Sequence, residues 1–136
     1  QGRLLVGFSK SGWGAWSLLL RHPDTFQAAA AWDAPLMQSD TRQFGMGPIF
    51  GDEENFAAYE ISRLLPERRA ELASETRLAL TGYGNFRAHH EKTHALLTRL
   101  EIAHHYRDGP QRRHHWESGW LPEAVALLLS MGPPEE

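Results

Sequence analysis

The residues around Ser9 are the first in the sequence whose types and spacing could do chemistry. Residues 7–12 (GFSKSG) follow a short apolar run and precede a helical pattern. A serine on a tight strand-to-helix turn can act as a nucleophile if the residues two before and two after it are small. Gly7 and Ser11 meet this requirement for Ser9, whereas Trp13 excludes Ser11 as the nucleophile. The turn therefore predicts a nucleophile elbow centred on Ser9.

A dinucleotide-binding loop is an alternative interpretation of the same turn. Gly12 and Gly14 open the helix, and Asp33 ends the next apolar segment, where an acid that binds a ribose would lie. An NAD(P)-dependent oxidoreductase therefore remains an alternative function, although Ser17 occupies the position of the third glycine. A phosphate-binding P-loop is excluded because Ser9 stands where that loop requires glycine.

The paired histidines His114 and His115 are candidates for the general base. A serine hydroxyl needs an imidazole within hydrogen-bond reach to accept its proton, and an unperturbed imidazole titrates near pH ~6.5. Both histidines follow the last predicted strand and precede the last predicted helix. A loop at this place can return to the sheet edge that carries Ser9.

A second histidine pattern could bind zinc. Residues 90–94 (HEKTH) match H-E-x-x-H, which places two imidazoles one helical turn apart with a glutamate between them. Leu97 replaces the glycine of the extended signature, and nothing distinguishes Glu101 from Glu117 as a third ligand. We therefore interpret this segment as a solvated helix and expect no metal site.

The elements that must position these residues alternate between strands and helices. Short apolar runs predict strands over 3–8, 26–32, 77–81 and 102–106. Apolar spacings of three and four predict helices over 15–21, 52–65, 66–72, 86–100 and 117–131. Within the last helix, they predict a buried stripe of Leu121, Val125 and Leu128. This alternation predicts a three-layer α/β/α fold with about four parallel strands in sequential order.

Composition bounds the function classes. The 136 residues suffice for one domain, and the formal net charge of −3 argues against nucleic acid as a partner. No apolar run approaches the ~20 residues of a membrane span, and the count of 0 cysteines removes thiolate chemistry. The first strand is apolar and lacks an upstream neighbour. We therefore expect residues 1–132 to be a partial domain whose upstream strands are missing, 133–136 to be a tail, and the isolated chain to fold poorly.

Four segments of the sequence are similar to those of an α/β-hydrolase. They are VGFSKSGWGAWSLLLRHPDTFQAAAAWDAP, GDEENFAAYE, RLALTGYGNF and HHWESGWLPEAVALLL. Together they resemble the C-terminal half of esterase-type members, a broad group that includes esterase D-like and polyester depolymerase-like enzymes. The resemblance implies a serine esterase that needs no cofactor and cleaves a small-molecule or polymeric ester through an acyl-enzyme.

The resemblance also implies roles for individual residues. Ser9 matches the nucleophile, and the backbone amide of Lys10 matches one oxyanion-hole donor, with a second donor expected from a loop after an earlier strand. The family often shows His-x-Trp at its base, which selects His114 through Trp116 and leaves His115 as the alternative.

The orienting acid is where the sequence departs from the family. Many relatives carry an aspartate on the loop after the penultimate strand, but residues 82–86 contain Asn85 and no carboxylate. Because of this departure, an alternative function is open, in which the protein has the same fold but binds a ligand without catalysis. We favour Asp33 as the substitute acid, with Asp108 as a second candidate. The loop 36–51 would help to form a substrate pocket with the apolar side chains of Met37, Phe44, Met46 and Phe50.

Overall fold

In a computed structural model, the sheet has the order β1-β2-β3-β4, and every strand pairs in parallel with its neighbour in sequence. The structure describes residues 3–39, 50–73 and 75–131. Its elements are β1 (Leu4–Phe8), α1 (Lys10–Arg21), β2 (Ala28–Trp32), α2 (Glu53–Ala57), α3 (Ile61–Glu67), α4 (Arg69–Leu72), β3 (Leu78–Tyr83), α5 (Arg87–Arg99), β4 (His105–Gln111) and α6 (Trp120–Ser130). The predicted α/β class and sequential strand order are confirmed.

Helices cover both faces of the sheet, which gives the three layers. Successive side chains of a strand point to opposite faces, so Ala29 and Ala31 of β2 pack with α1 and α3, whereas Ala28 and Trp32 pack with α6. Every residue of β2 is buried. The alanines of β2 leave room on both faces for tryptophans, Trp16 of α1 among them.

Strand register brings the ends of the first three strands to one edge. Phe8 of β1 lies beside Trp32 of β2, and Trp32 lies beside Thr81 of β3. Tyr83 pairs with Gln111 at the end of β4. The loops that begin after β1, β2, β3 and β4 therefore leave the sheet at the same edge.

The start predicted for the first helix is wrong. Helix α1 begins at Lys10, not at residue 15. Gly12 lies within this helix and serves close packing, because a Cβ there would lie 2.9 Å from the Cβ of Ala34 and 3.1 Å from the carbonyl oxygen of Gly7.

The predicted limits of the middle helices are also wrong. The single helix expected over 52–65 is divided into α2 and α3, and Pro66 lies inside α3 and does not begin a new helix. The Ser17 hydroxyl donates a 2.7 Å hydrogen bond to the carbonyl oxygen of Tyr59 in the break. This bond ties the break to α1.

The fourth strand lies further along the chain than predicted. The predicted strand 102–106 begins at Ile102, but this residue is bonded to the end of helix α5. Its N–H donates to the Leu97 carbonyl at 2.9 Å. The preceding residue, Glu101, has a positive φ of 58°, which turns the chain out of the helix. The strand itself is His105–Gln111, and most of its residues are exposed. A polar edge strand lacks the apolar pattern that marks a buried strand.

The last helix is confirmed, but only Leu128 of its predicted stripe is buried. The other buried positions are Trp120, Ala124 and Leu127, whereas Val125 is 39% exposed and Leu121 is half-buried. Several stripes are possible in this apolar segment, and the stacking of Trp120 on Trp32, with ring centroids 5.5 Å apart, selects one of them. Within the described ranges, no helix has the length and apolar character to cross a bilayer.

Candidate active site

Ser9 lies in the turn between β1 and α1 with an uncommon backbone conformation. Its φ of 58° and ψ of −125° lie in a region that L-residues rarely adopt, and such conformations cost about 1–3 kcal/mol. The Ser9 N–H donates to the Trp32 carbonyl at 3.1 Å, and the Ser9 carbonyl accepts from the N–H groups of Gly12 and Trp13 at 3.0 and 3.1 Å. These bonds join the strand directly to the helix and hold Ser9 at the tip.

The backbone on either side of Ser9 is closely packed. A Cβ on Gly7 would lie 2.1 Å from the carbonyl oxygen of Ser11, a distance that no side chain tolerates. The Ser11 hydroxyl is used within the turn, since it donates to the Phe8 carbonyl at 2.8 Å. The N–H of Lys10 is the first of helix α1, and the first N–H groups of a helix lack an acceptor within the helix.

Asp33 follows β2 and is buried, with no exposed surface. It also has a positive φ, at 47°. One carboxylate oxygen accepts hydrogen bonds from the N–H groups of Asn85 and Phe86 at 2.8 and 2.7 Å. The other oxygen, Oδ2, shares the Asn85 N–H at 2.8 Å and lies 2.5 Å from Nδ1 of His114. The carboxylate therefore joins the loop after β3 to the loop after β4.

These contacts determine the ionisation of Asp33 and the tautomer of His114. Burial raises the pKa of the Asp33 carboxyl, but hydrogen bonds from Phe86, Gly84, His114 and Asn85 outweigh it, so the pKa lies below its usual value. An ionised carboxylate can only accept hydrogen bonds, so Nδ1 of His114 carries the proton. Nε2 of the neutral imidazole is then left as a proton acceptor.

Ser9 and His114 line the same open pocket, which has a volume of about 320 Å³. The imidazole of His114 packs against the ring of Phe8, the residue before Ser9, with centroids 4.5 Å apart. The exposed Trp116 forms another wall and meets Phe8 edge to face at 5.2 Å. The Ser9 turn and the Asp33–His114 pair thus meet at one surface.

The other predicted site residues lie in different places. Asn85 contributes its backbone N–H to Asp33, and its exposed side chain lines a cavity beside His114. Asp108 pairs with Arg87, with oxygen–nitrogen distances of 2.9 and 2.6 Å. His115 lines the Ser9 pocket, but its Nδ1 accepts the Glu117 N–H at 3.1 Å.

The described residues of the loop after β2 contribute little to the pocket beside Ser9. Met37 and Phe50 are partly buried and pack against the core, and neither lines the pocket beside Ser9. Phe44 and Met46 lie outside the described residues, as does the predicted tail.

The histidines of the H-E-x-x-H segment do not converge. His90 is 2% exposed, and its Nε2 accepts the Ala34 N–H at 3.0 Å. His94 contacts His104 instead, with Nδ1 and Nε2 2.8 Å apart. No three His, Asp or Glu side chains of the described ranges gather as metal ligands.

Sequence reasoning missed that His90 and His89 support the segment after Asp33. His89 accepts the Met37 N–H at its Nδ1, 3.2 Å away, next to the bond from Ala34 to His90. Burial lowers the pKa of His90 to about 4, so it is neutral at pH 7 and can accept. The spacing of His90 from the buried Thr93 and Leu97, three and seven residues on, was the available signal for its burial.

Comparison with known proteins reveals similarity at the level of structure. Neither a scan against protein-family models nor a search of curated proteins returned a match. Among solved structures, the chain is similar to an S-formylglutathione hydrolase from Staphylococcus aureus with a TM-score of 0.68, 22% identity, and coverage of 94% of this chain and 50% of that one. A ferulic acid esterase gives a TM-score of 0.65 and 20% identity, covering 95% of this chain and 51% of that one.

A fluorophosphonate-binding serine hydrolase from Staphylococcus aureus gives a TM-score of 0.66 and 17% identity, covering 93% of this chain and 53% of the other. The chain thus spans about half the length of these three proteins. These similarities show that it has the α/β-hydrolase fold.

Proposed function

We propose that this chain carries the nucleophile, base and orienting acid of a serine hydrolase that cleaves carboxylic esters. The observation that supports this most is the 2.5 Å contact between Nδ1 of His114 and Oδ2 of Asp33, beside the pocket that Ser9 also lines. The substrate class follows one of the structural neighbours, which is named as a ferulic acid esterase.

The proposed acylation uses each of these groups at a stated atom. Oγ of Ser9 bonds to the carbonyl carbon of the ester while its proton passes to Nε2 of His114. The charge of Asp33 stabilises the imidazolium that forms. The carbonyl oxygen, now negative, accepts the N–H of Lys10, and one such donor is worth about 10²–10³ in rate.

The intermediate then loses the alcohol. The carbon–oxygen bond to the alcohol breaks, and the alcohol oxygen takes the proton from His114, which leaves an acyl group on Ser9. Water repeats the sequence with His114 again as the base. It releases the carboxylic acid and restores the Ser9 hydroxyl.

Labelling with a fluorophosphonate tests the proposal. The reagent bonds to an activated serine oxygen and loses fluoride, so the adduct is found by mass spectrometry. We expect the label on Ser9 and none after Ser9→Ala. Ser130→Ala is the matched control, because its hydroxyl bonds to the Leu127 carbonyl in α6, and it should keep the label. The test uses the full-length protein. A wild type that never reacts, or a Ser9→Ala variant that still does, contradicts the proposal.

A further inference from the structure

A second cavity lies beside His114 and differs in chemistry from the Ser9 pocket. Its volume is about 380 Å³. Its lining residues are Gly84, Asn85, Gln111, Arg112, Arg113 and His114. This lining contains two guanidinium groups, two amides and an imidazole, and no carboxylate. In a chain whose formal net charge is −3, such a concentration of cations and hydrogen-bond donors favours an anion.

One of the two arginines is held in a fixed position. Arg112 donates to the Ser118 carbonyl at 3.1 Å through Nη1 and forms an ion pair with Glu123 through Nη2. Gly119 gives the guanidinium room, since a Cβ there would lie 2.8 Å from Nη1. The charge of Arg112 is thus balanced by Glu123, and its main effect on the cavity is to shape it.

The other arginine supplies the uncompensated charge. Arg113 is exposed at the cavity and also lines the neighbouring pocket that contains Glu117, but none of the ion pairs formed within the described ranges involves it. A guanidinium presents a planar set of donors that matches a carboxylate in two-point contact. The exposed amide of Asn85 adds donors at the same rim.

The negative charge behind the cavity wall is compensated. Oδ2 of Asp33 would lie 2.8 Å from a Cβ on Gly84, so this carboxylate is directly behind the cavity wall. Its oxygens accept from two backbone N–H groups and from His114. An anion in the cavity therefore meets outward-facing donors and not a free carboxylate.

The position of His114 indicates which part of a substrate reaches this cavity. His114 lines both the second cavity and the Ser9 pocket. A group that returns its proton to a departing alcohol must lie within hydrogen-bond reach of the alcohol oxygen. The alcohol portion of a bound ester therefore lies next to His114, and its far end can extend into the second cavity.

We propose that this cavity is a subsite for a carboxylate on the alcohol portion of the substrate, with Arg113 as its main charged contact. The inference rests on the proposed esterase function. The preferred substrate is then an ester formed at the hydroxyl group of a hydroxy acid, whose carboxylate stays free. Charge on the alcohol portion then decides specificity, while the Ser9 pocket holds the acyl group.

A pair of matched esters tests the inference. We expect the full-length protein to hydrolyse 4-carboxyphenyl acetate with a kcat/KM up to about tenfold above that of the neutral 4-carbamoylphenyl acetate, a difference that corresponds to about 1.4 kcal/mol. Arg113→Gln should bring this ratio close to one. Arg107→Gln, which removes an exposed arginine of β4 that does not line the cavity, should leave the ratio unchanged.

Binding to a variant that cannot turn over separates this inference from the proposed function. Calorimetry with Ser9→Ala should show 4-hydroxybenzoate binding about tenfold more tightly than 4-hydroxybenzamide, with the preference lost on adding Arg113→Gln. Equal binding of the two compounds, or a preference that survives Arg113→Gln, refutes the subsite. If both acetates stay intact while the acid still binds selectively, the esterase proposal fails and the anion site stands.

Discussion

Asp33 has two roles, since it orients His114 and accepts hydrogen bonds from the backbone of the loop after β3. Replacing it with asparagine should impair the first role much more than the second. The N–H groups of Asn85 and Phe86 reach Oδ1 at 2.8 and 2.7 Å, the Asn85 N–H is shared with Oδ2 at 2.8 Å, and His114 contacts Oδ2. An asparagine oxygen in the Oδ1 position keeps one bond to each of the two backbone N–H groups. Its NH₂ group then takes the Oδ2 position, where it faces Nδ1 of His114 and loses the contact with the Asn85 N–H.

This replacement reverses the direction of the hydrogen bond to the imidazole. A donor at the Oδ2 position makes Nδ1 an acceptor and moves the proton of His114 to Nε2, the nitrogen that must accept the Ser9 proton. We expect kcat to fall about 10⁴-fold. The free energy of unfolding should fall by about 2 kcal/mol, because the bonds from two N–H groups to a charged oxygen become bonds to a neutral one and the Asn85 N–H loses its contact with Oδ2.

The measurement pairs ester hydrolysis with chemical denaturation and with the ¹⁵N shifts of His114, which report the tautomer. Asp108→Asn is the matched control, since it removes a carboxylate that is engaged with Arg87 and should leave kcat unchanged. A folded Asp33→Asn chain that keeps a tenth of its activity refutes the role of Asp33. A loss of activity in Asp108→Asn would move that role to Asp108.

Two further predictions concern the framework of the site. Gly7→Ala should prevent stable folding or abolish activity, because the new Cβ would lie 2.1 Å from the Ser11 carbonyl oxygen. The control is Gly14→Ala, whose Cβ would have nothing within 4 Å. It should raise the free energy of unfolding, measured by urea denaturation, by about 1 kcal/mol. Stability should also fall by about 2 kcal/mol between pH 8 and pH 5, because burial lowers the pKa of His90 to about 4 and the unfolded chain then binds the proton more readily. His90→Gln, which keeps an acceptor for the Ala34 N–H, should flatten this dependence in denaturation curves across that pH range, and an unchanged slope would show that another group causes it.

The arrangement of strands was determined by the sequence, because burial leaves a readable pattern there. The strands β1, β2 and β3 are apolar along their length, and each is separated from the next by helical segments. Short apolar runs joined by helices pack in parallel, so their ends meet at one edge. The steric demand for small residues around Ser9 is also local, and the glycine at position 7 indicated it.

Tertiary structure alone decided which polar groups meet at that edge. Asp33 and His114 are 81 residues apart. The sequence favoured Asp33 over Asp108 as the acid, but only the convergence of the loops after β2, β3 and β4 brings its carboxylate to Nδ1 of His114. The exposed strand β4 and the buried His90 were misjudged for a related reason. Periodicity records the burial of apolar groups, whereas the placement of a polar group depends on partners that only the folded chain brings within hydrogen-bond distance.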